Sequence, residues 1–306
     1  MKFTLLTFCL AVICNWASAQ DYVFKVLINK GENFKATTAS HKDKQTLKTG
    51  ASLFSGDIIT VSEHAIIGLV HSSGKTIELK KAGQYPVSVL NEKLGLLTTS
   101  VAGKYADFLI GKFYEGGDTD INDNHRNYLK VTGAVERALE NYAITAMVPL
   151  NGEVLHDEAF IKWSDLGEEN TYVVSFKNMF NEVLSTKETT KNYLTVSLND
   201  QALEEENIVI FSVSVKNKTS IKSDSYSLKR STGTNSLLLM EELKLLQAEL
   251  DSSPALREII LASFYEKNNL FIEAIDKYES AIAANPEIEE FKTSYSILKE
   301  RIGINL

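Results

Sequence analysis

The sequence predicts a multidomain protein that is mainly β and ends in an α-helical bundle. Three observations support this fold class. Short β-branched runs punctuated by glycines fill the first part of the chain, strict apolar and polar alternation returns after a polar stretch, and residues 235–306 change to helical spacing. The 306 residues suffice for two or three domains of ~100 residues each.

Residues 1–19 are predicted to be a signal peptide. Lys2 is their single charge, an apolar core follows it, and Ala17 and Ala19 are the small residues that a signal peptidase requires. Cleavage would leave Gln20 as the first residue. Cys14 raises a lipoprotein alternative, but Ile13 stands where that signal needs a small residue. We expect an exported protein, periplasmic or secreted.

Cysteine content and charge narrow the function classes of the exported chain. Both cysteines, Cys9 and Cys14, lie in the predicted signal, so disulfides, thiolate metal sites and cysteine nucleophiles are not expected after cleavage. Loss of Lys2 leaves 31 basic and 40 acidic residues, a formal net charge of −9. An acidic chain without a basic patch disfavours nucleic acid as a partner. No later apolar run is long enough to predict a membrane-spanning segment.

Residues 20–95 are predicted to form a small all-β domain. The predicted strands are Tyr22–Ile28, Asp57–Val61, Ala65–Val70, Thr76–Leu79 and Tyr85–Val89. The cadence Gly50-x-x-Leu53, Gly56-Asp57-Ile58-Ile59-Thr60, a hydrophobic strand and Ser73-Gly74 resembles the FecR-type periplasmic domain. This resemblance implies a location in the bacterial cell envelope and a role in binding or signalling. The β pattern starts just after the signal, without the cytoplasmic segment and membrane helix of the family's sensors, so only periplasmic protein recognition is carried over.

Residues 96–140 are predicted to be a helix followed by a polar linker. Helical spacing covers residues 100–114, with Ser100 as the N-cap and Gly116-Gly117 as the stop. The spacing Asp118-x-Asp120-x-Asn122 is similar to the start of a calcium loop. However, Asp123 and Leu129 occupy the positions of its glycine and its last carboxylate, so we predict a solvated loop.

Residues 141–230 are predicted to form a β-sandwich. Val209, Phe211, Val213 and Val215 alternate with polar residues, and Trp163 is of the size that fills the space between two sheets. The pattern is similar to the immunoglobulin and fibronectin type III sandwiches. The early part of the strand from Ile208 lacks the tyrosine of a tyrosine corner, which leaves the strand topology open.

Residues 235–306 resemble a tetratricopeptide repeat. Seven of the eight signature positions match, namely Leu261, Ala262, Tyr265, Ala274, Tyr278, Ala281 and Pro286. Apolar residues spaced 0, 4, 7 and 11 recur in three stripes: Leu239/Leu243/Leu246/Leu250, Phe271/Ile275/Tyr278/Ile282 and Phe291/Tyr295/Leu298/Ile302. We expect these helices to meet a protein partner through Glu258, Lys267, Asn268 and Lys277. The alternative is a bundle that caps the sandwich.

The sequence predicts no catalytic, cofactor-binding or metal-binding residue and no cofactor. The five histidines lack metal-ligand spacing; they are His41, His64, His71, His125 and His156. Asp57 is expected to accept backbone N–H bonds in its turn. The runs Glu168-Glu169 and Glu204-Glu205-Glu206 are expected to be solvated turns.

These predictions favour an exported, non-enzymatic bacterial envelope protein that acts as a protein-interaction, scaffold or signalling component. Its expected partner is an envelope protein whose identity the sequence does not give. Two alternatives stay open. The first is an accessory protein that binds carbohydrate or peptidoglycan, and the second is an enzyme that acts on envelope polysaccharide. The oligomeric state also stays open.

Overall fold

The computed structural model describes residues 22–37, 44–94, 101–118, 144–167, 170–250 and 254–304. This part of the chain contains four β-sheets and six helices, with 35% strand and 32% helix. The prediction of β units followed by C-terminal helices is confirmed at this level. The chain is mixed rather than mainly β, because helix and strand contribute almost equally. The predicted signal peptide lies outside the described residues.

The N-terminal β unit, residues 22–94, consists of two four-stranded sheets. Its strands are β1 (Phe24–Lys30), β2 (Phe34–Ala36), β3 (Gln45–Thr46), β4 (Ser52–Leu53), β5 (Ile58–Val61), β6 (Ile66–His71), β7 (Thr76–Leu79) and β8 (Gly83–Pro86). One sheet has the order β4-β1-β6-β7 and the other β3-β2-β5-β8. The buried side chains of both sheets, among them Phe24, Ile59 and Ile67, form one hydrophobic core.

Strand β1 contributes to two hydrophobic cores. Its pairing with β6 shifts register between Val26 and Ile28, as at a β-bulge, where an extra residue re-aims the side chains. Phe24 and Val26 belong to the core of the N-terminal β unit, whereas Leu27 and Ile28 belong to a second, larger core. The strand therefore joins the first unit to the rest of the molecule.

The strand predicted over Tyr85–Val89 is wrong in its second half. Strand β8 ends at Pro86, and helix α1 (Val87–Leu94) begins immediately after it. Val87 and Leu90, three residues apart, bury one face of this short helix. Short apolar runs do not distinguish a strand from a buried helical turn, which explains the error.

Helix α2 (Val101–Asp118) confirms the helix predicted over residues 100–114 and extends beyond it. Gly116 and Gly117 lie in its last turn instead of stopping it. The proposed N-cap Ser100 lies outside the described residues, but the carboxylate of Glu249 accepts the N–H groups of Val101 and Ala102 at 3.3 and 2.9 Å. A carboxylate at this end also suits the helix dipole.

The central β unit, residues 144–230, has a large sheet and a two-stranded sheet. Its strands are β9 (Asn151–Val154), β10 (Glu158–Lys162), β11 (Tyr172–Lys177), β12 (Val183–Thr189), β13 (Tyr193–Ser197), β14 (Ile208–Val215), β15 (Lys218–Lys222) and β16 (Tyr226–Arg230). The large sheet has the order β12-β11-β14-β16-β9, with β15 also paired to β14, and β10 pairs with β13. β16 and β9 are parallel, whereas the other pairs in this unit are antiparallel.

The predicted alternation of the long strand is confirmed, because Val209, Phe211, Val213 and Val215 are all buried. Trp163 is also buried, with no exposed surface, and its ring meets that of Tyr172 edge-on at 5.4 Å.

Four helices follow the central β unit: α3 (Thr234–Glu249), α4 (Pro254–Lys267), α5 (Phe271–Ala284) and α6 (Glu289–Arg301). The leucine stripe of α3 is buried, as are Ile275 and Tyr278 of α5 and the first three members of the last stripe. Phe271, Ile282 and Ile302 are partly buried against the same core. Helix α5 ends at Ala284, just before Pro286, as the sequence predicts.

The C-terminal helices lie directly on both β units. A Cβ atom on Gly68 of β6 would stand 2.9 Å from Leu256 Cδ2 of α4, and one on Gly152 of β9 would stand 2.3 Å from Ile272 Cδ1 of α5. A side chain at either position would force Leu256 or Ile272 to move, so the helices approach these two strands closely. One continuous core therefore includes residues of β1, α2, the central β unit and the C-terminal helices.

Candidate interaction surfaces

The turn between β11 and β12 carries the most exposed large apolar side chain described in the structure. Phe180 is 86% exposed, and its neighbours Met179 and Val183 are 67% and 60% exposed. We call these three residues the hairpin tip. Isolated exposed apolar residues are common, but three within five positions at the end of a hairpin form a compact protruding patch.

The side chain of Asn178 fixes the conformation of this turn. Its Oδ1 accepts the backbone N–H groups of Phe180 and Glu182, both at 3.0 Å, and its Nδ2 donates to the Glu182 carboxylate at 2.7 Å. Asn178 is buried, and Asn181 adopts a left-handed conformation with φ of 68°. The hairpin tip is therefore held rigidly, so this segment would lose less conformational entropy when it binds a partner.

A second surface is the aromatic pair on the two-stranded sheet. Phe160 of β10 and Tyr193 of β13 have ring centroids 5.7 Å apart, inclined at 36°. The ammonium group of Lys191 lies 5.1 Å from the Tyr193 ring centroid. Tyr193 is exposed and Phe160 half-buried, so the pair offers a small aromatic platform to solvent.

The side chains expected to meet a partner on the C-terminal helices are engaged within the molecule. The ammonium group of Lys277 lies 3.4 Å from Glu258 and 3.0 Å from Asp276. Asn268 donates to the hydroxyl of Tyr105 in α2 at 3.3 Å, and Lys267 lies over the ring of the same tyrosine. Helix α2 thus occupies part of the surface that sequence reasoning assigned to a ligand, because its packing against α4 could not be foreseen from spacing.

A buried ion pair joins α2 to the C-terminal helices. Lys112 Nζ donates to both carboxylate oxygens of Glu266, at 2.8 and 2.7 Å, and to the carbonyl of Ser294 at 3.0 Å. The hydroxyl of Tyr278 donates to Glu266 at 2.6 Å, and Arg301 lies 3.2 Å from the same carboxylate. Burial raises the pKa of Tyr278 well above its usual value. This cluster is not predicted from the sequence, in which a lysine on the apolar face of a helix is its only signal.

A second buried carboxylate lies between α5 and the turn joining β9 to β10. Glu273 Oε1 accepts the N–H groups of Leu155 and His156 at 2.6 and 3.4 Å. Burial raises the pKa of Glu273 to about 7, against the lowering effect of these hydrogen bonds. The ring of His156 bonds to the hydroxyl of Tyr265 at 2.9 Å, and burial lowers the pKa of this histidine. These groups connect α4 and α5 to the turn between β9 and β10.

The other two histidines that the structure describes, His64 and His71, lie at the ends of β6. Both ring nitrogens of His71 are hydrogen-bonded, to Ser73 Oγ at 2.6 Å and Asn91 Oδ1 at 2.8 Å. His64 occupies a turn with φ of 60°, before β6, and His71 ends that strand. His41 and His125 lie outside the described residues. Within the described ranges, no three His, Cys, Asp or Glu side chains are grouped as a metal site would require.

The acidic residues singled out in the sequence occupy turns wherever the structure describes them. Asp57 accepts the N–H of Phe54 at 2.9 Å and donates its own N–H to the carbonyl of Phe54, so its predicted turn role is confirmed. Glu204 and Glu205 are exposed in a turn, as predicted. Glu168-Glu169 and the loop from Asp120 to Asn122 lie outside the described residues.

Among the described helices, none has both the length and the apolar character needed to cross a membrane. No family model matches the chain, and no curated protein matches it.

Proposed function

We propose that this chain is an exported bacterial envelope protein that acts by protein–protein recognition, as a scaffold or signalling component, with no reaction of its own. The observation that supports this function best is the hairpin tip. A preorganised, protruding patch of phenylalanine, methionine and valine is the kind of feature that fills an apolar pocket of a protein partner.

The domain resemblances belong to the same proposal. We propose a FecR-like domain for the N-terminal β unit, an immunoglobulin-like or fibronectin type III-like sandwich for the central unit, and tetratricopeptide-like packing for α4 and α5. Two observations support the last two. Trp163, directly after β10, is fully buried against Tyr172 of β11, and the small residues Ala262, Ala274 and Ala281 are buried where the repeat pattern places them. Domains of these kinds serve mainly in recognition.

The hairpin tip is tested by affinity capture from envelope extract. The bait is the purified protein, and the variant Met179→Ser/Phe180→Ser removes the apolar patch without touching Asn178. Val89→Ser, at an exposed apolar position of α1, is the matched control. We expect wild type and control to retain the same protein partner and the tip variant to lose it. Equal retention by all three would show that the tip is not the recognition surface.

Export is tested separately. The protein isolated from its native host should begin at Gln20, as measured by intact mass or N-terminal sequencing. A diacylated chain beginning at Cys14 would instead identify a lipoprotein, and a chain that keeps residues 1–19 would contradict export.

The aromatic pair Phe160 and Tyr193 supports a second candidate function, the binding of carbohydrate or peptidoglycan, since exposed aromatic rings pack against the apolar faces of sugars. In this case purified cell-wall or glycan fractions should retain the wild-type protein and release Tyr193→Ala. Retention of protein partners alone would favour the first function.

A further inference from the structure

Helix α5 and the turn between β9 and β10 meet around one buried carboxylate, and we call this contact the α5 junction. Glu273, in the first turn of α5, has only 7% of its surface exposed. Its Oε1 accepts the backbone N–H groups of Leu155 and His156. Its Oε2 is buried without a hydrogen-bond partner among the residues that the structure describes. A buried oxygen without a partner is destabilising, and much more so when its group is charged.

The residue beside Glu273 makes the α5 junction tight. Ile272 is fully buried, and a Cβ atom on Gly152 of β9 would stand only 2.3 Å from its Cδ1. The ring of His156 connects the same turn to α4 through the hydroxyl of Tyr265 at 2.9 Å. Because the carboxylate is enclosed between the helix and the turn, it is hydrated only when the two separate.

Within the described ranges, no cation pairs with Glu273. The titratable side chains around the junction come from the turn, from α4 and from α5, and they are His156, Asp157, Glu258, Tyr265, Asp276 and Lys277. Lys277 pairs with Glu258 and Asp276, at 3.4 and 3.0 Å, and Asp157 pairs with Arg230 of β16 at 3.5 Å. The charge of Asp276 disfavours a second negative charge on Glu273. An ionised Glu273 is therefore a buried, unpaired charge.

We propose that the α5 junction is a pH-dependent conformational switch, closed while Glu273 is protonated and open once Glu273 has released its proton to water. In the open form the turn separates from α5, and Leu155 and Ile272, both buried in the closed form, become exposed. Burial raises the pKa of Glu273 from 4.5 to about 7 in the closed form. Opening is therefore coupled to the loss of one proton and becomes easier as pH rises from 4.5 to 7. This inference does not depend on the proposed function, which rests on other residues.

Amide hydrogen exchange, measured residue by residue by NMR and corrected for intrinsic exchange, gives the equilibrium constant for local opening at Leu155 and His156. Glu273→Gln is the test variant, because glutamine does not ionise but keeps an oxygen that accepts both N–H groups. The opening constant of the wild type, divided by that of the variant, should rise on the order of a hundredfold from about pH 4.5 to about pH 8. The rise should level off above pH 7. The division cancels the contribution of His156, whose lowered pKa acts in the opposite direction.

Two controls distinguish local opening from unfolding of the whole molecule. The N–H of Ser223 donates to the carbonyl of Val213 at 2.7 Å, at the end of the central β unit opposite the junction, and its opening constant should give a ratio that does not change with pH. Glu158→Gln, at an exposed carboxylate of β10, should behave as the wild type does at Leu155 and His156. The wild type alone provides a further measurement, since the ¹³C shift of the Glu273 carboxyl group should titrate with a midpoint near 7.

Three results would overturn the switch. A ratio at Leu155 and His156 that stays constant with pH would mean that Glu273 does not control opening. An equal rise at Ser223 would mean that the proton affects the whole fold rather than the junction. A titration midpoint of Glu273 near 4.5 would show that the closed junction does not favour the protonated form.

Discussion

At the scale of single residues, Trp163 is the largest fully buried side chain that the structure describes. Its position in the core of the central β unit is confirmed. The sequence allowed this prediction because a large aromatic ring next to strands with alternating apolar residues is most favourably buried in the core that those residues form. The indole N–H of Trp163 has no hydrogen-bond partner among the described residues, so packing alone holds the ring.

We expect Trp163→Ala to lower the free energy of unfolding by ~3–5 kcal/mol, because it deletes a large buried ring and leaves a cavity. Trp163→Phe is the matched control and should cost less than Trp163→Ala, since it keeps an aromatic ring and leaves a smaller cavity. Urea unfolding followed by circular dichroism measures both changes. Equal stability of Trp163→Ala and wild type would contradict the core assignment.

Glu273 should make stability depend on pH. Its pKa is raised from 4.5 to about 7 in the folded protein, so the folded state holds its proton more tightly than the unfolded state does. The stability that this proton contributes is complete below pH 4.5 and is lost as pH rises through 7, a loss of roughly 3 kcal/mol. The variant Glu273→Gln cannot lose a proton there and should gain stability relative to wild type between pH 5 and pH 8.

Urea unfolding at several pH values measures this difference, with Glu158→Gln, an exposed carboxylate of β10, as the control. The lowered pKa of His156 acts in the opposite direction, since stability is lost as pH falls below 6.5. Because His156 is present in both proteins, its contribution cancels in the comparison. Parallel stability curves for wild type and Glu273→Gln would refute the assignment.

At the scale of elements, the sequence patterns predicted which strands and helices exist more accurately than the residues at which they begin and end. The strand Thr76–Leu79 and the strand from Ile208 were predicted nearly to the residue, because turn residues and strict alternation mark them. Helix α1 was missed, because a run of four apolar or small residues after a proline has no periodicity of its own. Helix α2 outlasts its two glycines, which cost about 1 kcal/mol each in a helix but do not forbid one.

The ion pair between Lys112 and Glu266 should be the strongest tie between α2 and the bundle. Lys112→Met removes the main partner of the Glu266 carboxylate, whose side chain has no exposed area. We therefore expect a loss of about 3 kcal/mol in the free energy of unfolding. Lys104→Met on the same helix removes a half-exposed ion pair with Glu242 and should cost less than about 1 kcal/mol. Urea titration of both variants provides the comparison, and equal losses would contradict a special role for the buried pair.

At the scale of the whole molecule, the C-terminal helices are part of the main core and cannot be treated as an appended unit. The sequence indicated which stripes needed covering but not what covers them, since several apolar faces of similar size were available. Only the folded chain shows that α4 faces β6 and that α5 faces β9. The candidate surfaces were missed for a related reason, because exposure of an apolar residue is not readable from its type.

Deletion of residues 235–306 should therefore abolish cooperative folding. The remaining chain would expose the apolar sides of β6, β9 and α2 that the helices cover. We expect loss of a sharp thermal transition in circular dichroism, together with binding of a hydrophobic dye. A truncated protein with the melting behaviour of the full chain would show that the helices are an independent recognition unit after all.

The division of strand β1 between two cores has a consequence for the order of events during synthesis. Its residues are synthesised more than two hundred residues before Leu256, the leucine of α4 that lies against this sheet. Contacts between residues so far apart in sequence form slowly, and apolar surface stays exposed until they form. The second core, to which Leu27 and Ile28 belong, is therefore incomplete until α4 has been synthesised, and a chaperone that shields these two side chains would bind the chain in that interval.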